Sequence, residues 1–258
     1  MSRQNVRLIL GLIAIVVMFK ACDRESGQQP ARQEERAQAE AQQVDQQLTP
    51  QKTVEPRDGL AAAIAIDVSG SMDEAVLGEN KHKEPKIAIA RRAALDLVEQ
   101  FASYARAHTD EPVLLAVYEF SRRRGEPDCR EVIPMGPPDR ERAAAAIARL
   151  DADGGTPIGQ AMITAKRALD ETGLTRRHLL VVTDGENTDG VPPDRVAIAI
   201  GKRPDAERPS IYFVAFDIEA SRFSRVRNAG GLVLSAANAT ELNTTLDTLL
   251  NDKILVEK

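Results

Sequence analysis

Three stretches of the sequence carry oxygen-bearing side chains at spacings that suit a metal ion. Asp67-Val-Ser-Gly-Ser71 follows an apolar run, Gly154-Gly-Thr-Pro157 precedes a helical pattern, and Thr183-Asp-Gly185 follows a second apolar run. A hard divalent cation prefers oxygen ligands and keeps several of its waters. The three stretches therefore predict a cation site if the fold brings them together. The candidate ligands are Asp67, Ser69, Ser71, Thr156 and Asp184.

The glycines near these residues fit the same interpretation. The candidate ligands of the first stretch alternate with other residues, so an extended loop would project them to one side. Gly70 would let this loop approach the metal closely, and Gly154 and Gly155 would give Thr156 the freedom to reach it.

Each stretch also has a purely structural interpretation when it is considered alone. Asp184-Gly185 is a common turn dipeptide. Thr156 or Asp153 would suit the N-cap of a helix that starts at Pro157, and the two serines of the first stretch would suit a cap for a helix that starts near Met72. All of these coincidences would have to occur together to explain the pattern without a cation.

Strands and helices alternate from residue 60 onward. Continuous apolar runs are typical of strands that are buried on both faces, and spacings of three and four residues indicate helices. Strands are predicted at 60–66, 113–120, 178–183, 210–216 and 232–235, and helices at 86–107, 139–150, 157–171, 193–200, 221–229 and 240–250, with a short antiparallel edge strand at 129–135.

This alternation predicts an α/β fold with a doubly wound, mostly parallel sheet, one antiparallel edge strand and helices on both faces. Sites in such sheets lie at the carboxyl ends of the strands. Asp67 and Asp184 both follow a predicted strand directly, so we expect them to meet at one edge if their strands are neighbours.

The five candidate ligands resemble the metal-ion-dependent adhesion site of the von Willebrand factor type A family. That pattern is Asp-x-Ser-x-Ser, then a distant Thr, then a distant Asp, and the likeness extends from Leu60 to the C-terminus. It implies a Rossmann-like domain over residues 58–258, in which the three hydroxyls ligate Mg²⁺ or Mn²⁺, with Ca²⁺ less favoured. The two carboxylates would act mainly through water or from behind the direct ligands.

The resemblance also implies a function. A metal held by neutral hydroxyls favours a carboxylate in its open position, so the family binds an Asp or Glu of a protein partner. The expected role is metal-dependent binding rather than catalysis, with Glu186, Asn187 and Asp189 on the rim near the partner. Two alternatives stay open: a metal-dependent hydrolase or phosphatase, and an assembly component with a vestigial metal site.

The first 57 residues differ from the rest. Residues 1–22 combine Arg3 and Arg7 with an uncharged run that ends before Cys22, which is typical of a bacterial lipoprotein signal with a lipidated cysteine or of an uncleaved anchor. Residues 23–57, rich in Gln, Ala, Glu and Arg, predict a disordered or weakly helical tether. We therefore expect a membrane-attached protein on the extracytoplasmic side of the bacterial cell envelope.

Composition and missing motifs exclude several other classes. A net charge of −5 is not that of a nucleic-acid-binding protein, and two cysteines are too few for a disulfide scaffold. The chain has no glycine-rich nucleotide-binding fingerprint and no nucleophile-elbow motif. Its three histidines lie outside the candidate loops, and His178 is expected to be structural.

Overall fold

The structure is a computed structural model that describes residues 34–78 and 82–256. The chain divides into two compact units, residues 1–46 and 47–258. The predicted signal or anchor segment, including Cys22, lies outside the described residues. In the part of the chain that the structure describes, no helix combines the length and apolar character needed to cross a membrane.

The segment predicted as a tether contains regular structure. Residues 34–48 form helix α1, which accounts for all described residues of the first unit. In the second unit, the Leu48 side chain is fully buried, and the Leu48 carbonyl accepts a hydrogen bond of 2.8 Å from Lys166 Nζ. The second unit therefore includes residues 47–57 in addition to the predicted domain 58–258.

The second unit contains a six-stranded sheet and a separate hairpin. The strand order in the sheet is β5-β4-β1-β6-β7-β8, and only β4 and β5 pair antiparallel. This arrangement confirms the predicted doubly wound sheet with an antiparallel edge. The strands are β1 (Arg57–Asp67), β2 (Ala75–Leu77), β3 (Lys83–Pro85), β4 (Val113–Phe120), β5 (Cys129–Gly136), β6 (Leu174–Thr183), β7 (Ser210–Phe216) and β8 (Leu232–Ala236).

Helices cover both faces of the sheet. In the described part of the second unit, the α-helices after β1 are α2 (Lys86–Ala107), α3 (Arg140–Ile147), α4 (Ile158–Thr172), α5 (Pro193–Gly201), α6 (Ser224–Asn228) and α7 (Ala239–Leu249). Helices α2, α3 and α7 share one hydrophobic core with β1, β4, β6 and β7, while α4 packs on the other side of β1 and β6.

The sequence of β1 suits its central position between β4 and β6. Leu60, Ile64 and Ile66 belong to the core shared with α2, whereas the alternating residues 61, 63 and 65 are alanines on the opposite face. Small side chains there let α4 lie close to the sheet. All residues of β1 from Leu60 to Asp67 are buried.

Three local predictions were incomplete. The hairpin of β2 and β3 was not predicted, because strands of three residues are too short to show a pattern. Residues 221–229 do not form one helix: a 3₁₀ turn at Ala220–Phe223 precedes α6, since Phe223 turns inward against Phe213, with ring centroids 5.4 Å apart. The last helix ends in a π-helical turn, Leu250–Ile254.

Candidate metal centre

Asp67 and Asp184 lie at the same edge of the sheet. Strands β1 and β6 are neighbours with Ile66 opposite Val182, so Asp67, the last residue of β1, and Asp184, directly after β6, lie at paired strand ends. Asp67 is fully buried. Its Oδ1 accepts the Ser69 N–H at 2.8 Å, and its Oδ2 accepts the Thr183 hydroxyl at 2.5 Å. Asp67 therefore fixes the start of the loop at 68–71, which carries both candidate serines and is called the serine loop below.

The two serines of that loop face each other and Asp184. Their Oγ atoms are 3.2 Å apart, and the Ser71 hydroxyl donates to Asp184 Oδ1 at 2.7 Å. The expectation of an extended loop was wrong, because a 3₁₀ turn covers Gly70–Asp73. The alternative that Ser69 serves as a helix cap also fails, since its side chain makes no capping hydrogen bond to this turn.

Thr156 reaches the same place from the start of α4. Its backbone is fixed on both sides by Thr188: the Thr156 N–H donates to Thr188 Oγ1 at 2.8 Å, and the Thr188 N–H donates to the Thr156 carbonyl at 3.1 Å. A Cβ added at Gly185 would lie 3.6 Å from Thr156 Oγ1 and 3.7 Å from Ser71 Oγ. The two hydroxyls thus border one space over Gly185.

The Thr156 hydroxyl neither caps a helix nor makes a hydrogen bond to the described residues. Thr156 is 4% exposed. No side chain caps helix α4, which follows Pro157 at the N-cap, so the capping interpretation of Thr156 and Asp153 is wrong. A hydroxyl of a largely buried residue that makes no hydrogen bond to the described residues is available to act as a ligand.

Gly154 and Gly155 allow this loop to pass close to its neighbours. Gly154 has φ +87°, and a Cβ there would lie 2.2 Å from the Arg122 carbonyl oxygen. A Cβ at Gly155 would lie 2.1 Å from Asp189 Oδ2. The Gly154 carbonyl accepts the Gly70 N–H at 2.9 Å. This hydrogen bond joins the loop that carries Thr156 to the serine loop.

We expect Gly154→Ala to lower the free energy of unfolding by about 2 kcal/mol or more, because the new Cβ meets backbone and the φ is unfavourable. Gly125→Ala is the matched control: Gly125 has φ +83° but nothing within 4 Å of an added Cβ. Gly125→Ala should lower the free energy of unfolding only through its unfavourable φ, by about 1 kcal/mol. Urea denaturation of both variants measures the difference, and equal losses would contradict the steric argument.

The buried Asp67 carboxylate is electrostatically unfavourable in its charged form. Burial, and then the nearby Asp184, raise the pKa of Asp67 to about 7, although its hydrogen bonds with Ser69 and Thr183 lower it. A divalent cation would oppose both causes of this shift, so the donor set and its charge fit such an ion. No three His, Cys, Asp or Glu side chains in the described residues form a metal cluster.

Lys86, which sequence reasoning missed, contacts this centre directly. Its Nζ lies 2.9 Å from Asp184 Oδ2, 3.1 Å from Glu74 Oε2 and 3.2 Å from Asp217 Oδ2. Burial alone would lower the pKa of Lys86, but Asp184, Glu74 and Asp217 together hold it above its ordinary value. Lys86 is therefore a permanent positive charge next to the candidate ligands.

Two signals in the sequence could have found this contact. Lys86 is the first residue of α2, where the helix dipole disfavours a cation, so a compensating carboxylate was to be expected. Asp217 follows β7 just as Asp184 follows β6. Among the described residues it is also the only non-glycine residue with positive φ, 56°, a conformation often found at functional sites.

The predicted rim residues differ in their contacts. Glu186 is exposed and pairs with Arg222 at 2.9 Å. Asn187 and Asp189 hold their own loop: Asn187 Nδ2 donates to the Asp189 carbonyl at 2.9 Å, and Asn187 Oδ1 accepts the Gly159 N–H at 3.4 Å. Glu186 is thus the rim side chain with most freedom to meet a partner.

Part of the chain matches a known family of domains. Residues 62–186 match the family model of the von Willebrand factor type A domain. The matched segment contains all five candidate ligands. A comparison with curated protein sequences found no match.

Solved structures with the von Willebrand factor type A fold and related folds resemble the chain. The PilB minor pilin from Streptococcus sanguinis aligns at 12% identity and TM-score 0.59 over 79% of this chain and 63% of that chain, so this chain spans less than two thirds of the pilin. A von Willebrand factor type A protein from Catenulispora acidiphila aligns at 22% identity and TM-score 0.55, over 74% of this chain and 42% of that chain. BatB from Bacteroides thetaiotaomicron aligns at 16% identity and TM-score 0.56, over 75% of this chain and 98% of that chain. At these identities the likeness supports the fold.

Proposed function

We propose that this protein binds an acidic group of a protein partner through a divalent cation, Mg²⁺ or Mn²⁺, at the bacterial cell envelope. The cation would be held by the five candidate ligands. The domain would be attached to the membrane through residues 1–22, by a lipid on Cys22 or by an uncleaved anchor. The observation that carries the proposal is that three hydroxyls and two carboxylates from three loops converge on one edge of the sheet.

The chemistry of the donors favours binding over catalysis. When bound, the cation would supply an open position that attracts a carboxylate, since most of its protein ligands are neutral hydroxyls. The residues themselves divide the work: Ser69, Ser71 and Thr156 offer direct ligands, while Asp67 orients the serine loop. Asp184 orients Ser71 through their hydrogen bond.

None of the described histidines stands next to these oxygens in a position to act as a general base. His178 is buried in β6 with its Nδ1 3.4 Å from the Tyr212 hydroxyl, within a strand that begins at the opposite end of the sheet. A hydrolase or phosphatase activity that needs the metal is the alternative to be tested.

Thr156→Val separates metal binding from folding. The valine has nearly the same shape, and the hydroxyl that it removes makes no hydrogen bond to the described residues, so we expect unchanged or slightly higher stability in chelator. We expect Mn²⁺ to bind about 10–100-fold more weakly. Calorimetry of the full chain measures the affinity, and Thr175→Val, at an exposed position at the other end of β6, is the matched control.

Partner binding is tested by affinity capture from envelope extract with the wild type and Thr156→Val, in Mg²⁺ and in chelator. The proposal expects a partner that is retained only by the wild type in Mg²⁺. Capture that persists in chelator would favour a vestigial metal site. Turnover of a phosphate or peptide substrate that is lost in Thr156→Val would favour the hydrolase. No Mn²⁺ binding by the wild type would overturn the proposal.

A further inference from the structure

The position of Lys86 is unusual for a lysine. Its side chain is only 4% exposed, and it begins a helix, where the dipole opposes a positive charge. Of the three carboxylates around its ammonium group, Glu74 is 70% exposed and Asp217 is 39% exposed, so water can solvate both. Asp184 is 0% exposed and depends on Lys86 for neutralisation.

Both oxygens of Asp184 are engaged by the protein. Oδ1 accepts the Ser71 hydroxyl at 2.7 Å, and Oδ2 accepts the Lys86 ammonium at 2.9 Å. The first contact joins Asp184 to a candidate ligand. The second removes one carboxylate oxygen from the set that a metal could recruit, because an ammonium contact in a dry environment is strong.

We propose that Lys86 acts as an internal cation that restrains Asp184 from direct coordination and lowers the affinity of the centre for divalent metal. This inference rests on the proposed function, since it concerns the same centre. Its benefit is selectivity for the partner: a metal that lacks a direct carboxylate ligand keeps more of its positive charge for the incoming Asp or Glu. Lys86 is thus a positioning residue that lowers the affinity of the centre for metal and raises the affinity of the bound metal for the partner.

Removing the positive charge should therefore shift the two affinities in opposite directions. In Lys86→Met, Asp184 Oδ2 becomes available and the repulsion between ammonium and metal disappears. We expect Lys86→Met to bind Mn²⁺ about tenfold more tightly than the wild type does, or tighter still. We also expect one water fewer on the bound Mn²⁺, because a carboxylate oxygen replaces it, and weaker capture of the acidic partner.

A structural role for Lys86, as a link between three loops, makes a different prediction. Loss of that link would loosen the site and weaken Mn²⁺ binding. Lys86→Arg, which keeps the charge, should bind Mn²⁺ within about threefold of the wild type if charge is what matters. Lys83→Met is the matched control, because Lys83 is exposed on the neighbouring β3.

The experiment is Mn²⁺ titration of the full chain and its variants by calorimetry, with water proton relaxation to count the waters on bound Mn²⁺. Tighter binding and fewer waters in Lys86→Met, with Lys86→Arg and Lys83→Met unchanged, support the inference. Equal or weaker binding by folded Lys86→Met, while the wild type binds, overturns the inference but not the proposed function.

Two further outcomes bear on both proposals. Binding by Lys86→Met but not by the wild type would mean that the ammonium takes the place of the metal, which refutes the proposed function and, with it, the inferred gain in partner affinity. No binding by either overturns both. If Lys86→Met is unfolded in chelator, the inference expects Mn²⁺ to restore its fold, and failure to do so counts against it.

Discussion

Replacing Asp170 with alanine is expected to lower the free energy of unfolding by about 3–5 kcal/mol, because the change leaves buried cations without their counter-charge. Asp170 Oδ2 accepts Lys166 Nζ at 2.6 Å, and Oδ1 accepts an Arg177 guanidinium nitrogen at 3.0 Å. Lys166 is fully buried, and Arg177 nearly so. Burial lowers the pKa of Lys166, and only Asp170 offsets this strongly.

A double-mutant cycle tests the origin of this loss. Lys166→Met/Asp170→Ala removes the orphaned ammonium as well, so we expect it to lose less stability than the sum of the two single variants. Urea denaturation measures all four proteins. An Asp170→Ala protein that lies within about 1 kcal/mol of the wild type would show that both cations are solvated in the variant, or that Lys166 loses its proton and Arg177 is solvated.

The same cluster links the end of α4 to the segment before β1. Lys166 also donates to the Leu48 carbonyl, whereas Thr156 lies just before the opposite end of this helix. We therefore expect folded Asp170→Ala to bind Mn²⁺ like the wild type. A loss of binding would indicate that the position of Thr156 depends on the far end of α4.

The central sheet was predictable because its signals are local. A buried strand such as β4 is almost entirely apolar, and α2 shows its spacing over 22 residues, so their predicted bounds coincide with the structure. Parallel pairing predicted that Asp67 and Asp184 share one edge of the sheet, whereas it is the structure that makes β1 and β6 neighbours. Short elements such as β2 carry no comparable signal, since three residues cannot show a period.

What the sequence could not show is which polar groups neutralise one another. Lys86 and Asp184 are far apart in the chain, and nothing local distinguishes Lys86 from a solvated lysine except its place at the start of a helix. The same holds for Leu48, which a polar stretch surrounds and which is nevertheless buried. Such contacts depend on tertiary packing, and composition predicts only that some partner is needed.

Lowering the pH is expected to decrease the free energy of unfolding because of His178. Burial, and then the positive charge of Arg176, lower the pKa of His178 to about 4, against about 6.5 in an unfolded chain. Between these values the unfolded state binds a proton that the folded state does not, so stability falls as the pH decreases. At pH 4.5 the loss should be about 2.5 kcal/mol relative to neutral pH.

The variant His178→Gln isolates this contribution. Asp67 titrates in the opposite sense without metal: its raised pKa favours the folded state at low pH, so the pH curve of the wild type alone is not diagnostic. Urea denaturation in chelator at pH 7.5 and 4.5 measures the stability of the wild type and of His178→Gln. The difference between the two proteins cancels the contribution of Asp67 and of the other titrating groups that they share. We expect the variant to lose about 2.5 kcal/mol less than the wild type. His108→Gln, at an exposed histidine, should follow the wild type at both pH values. Parallel losses in wild type and His178→Gln would mean that His178 accepts a proton in the folded state as readily as in the unfolded chain.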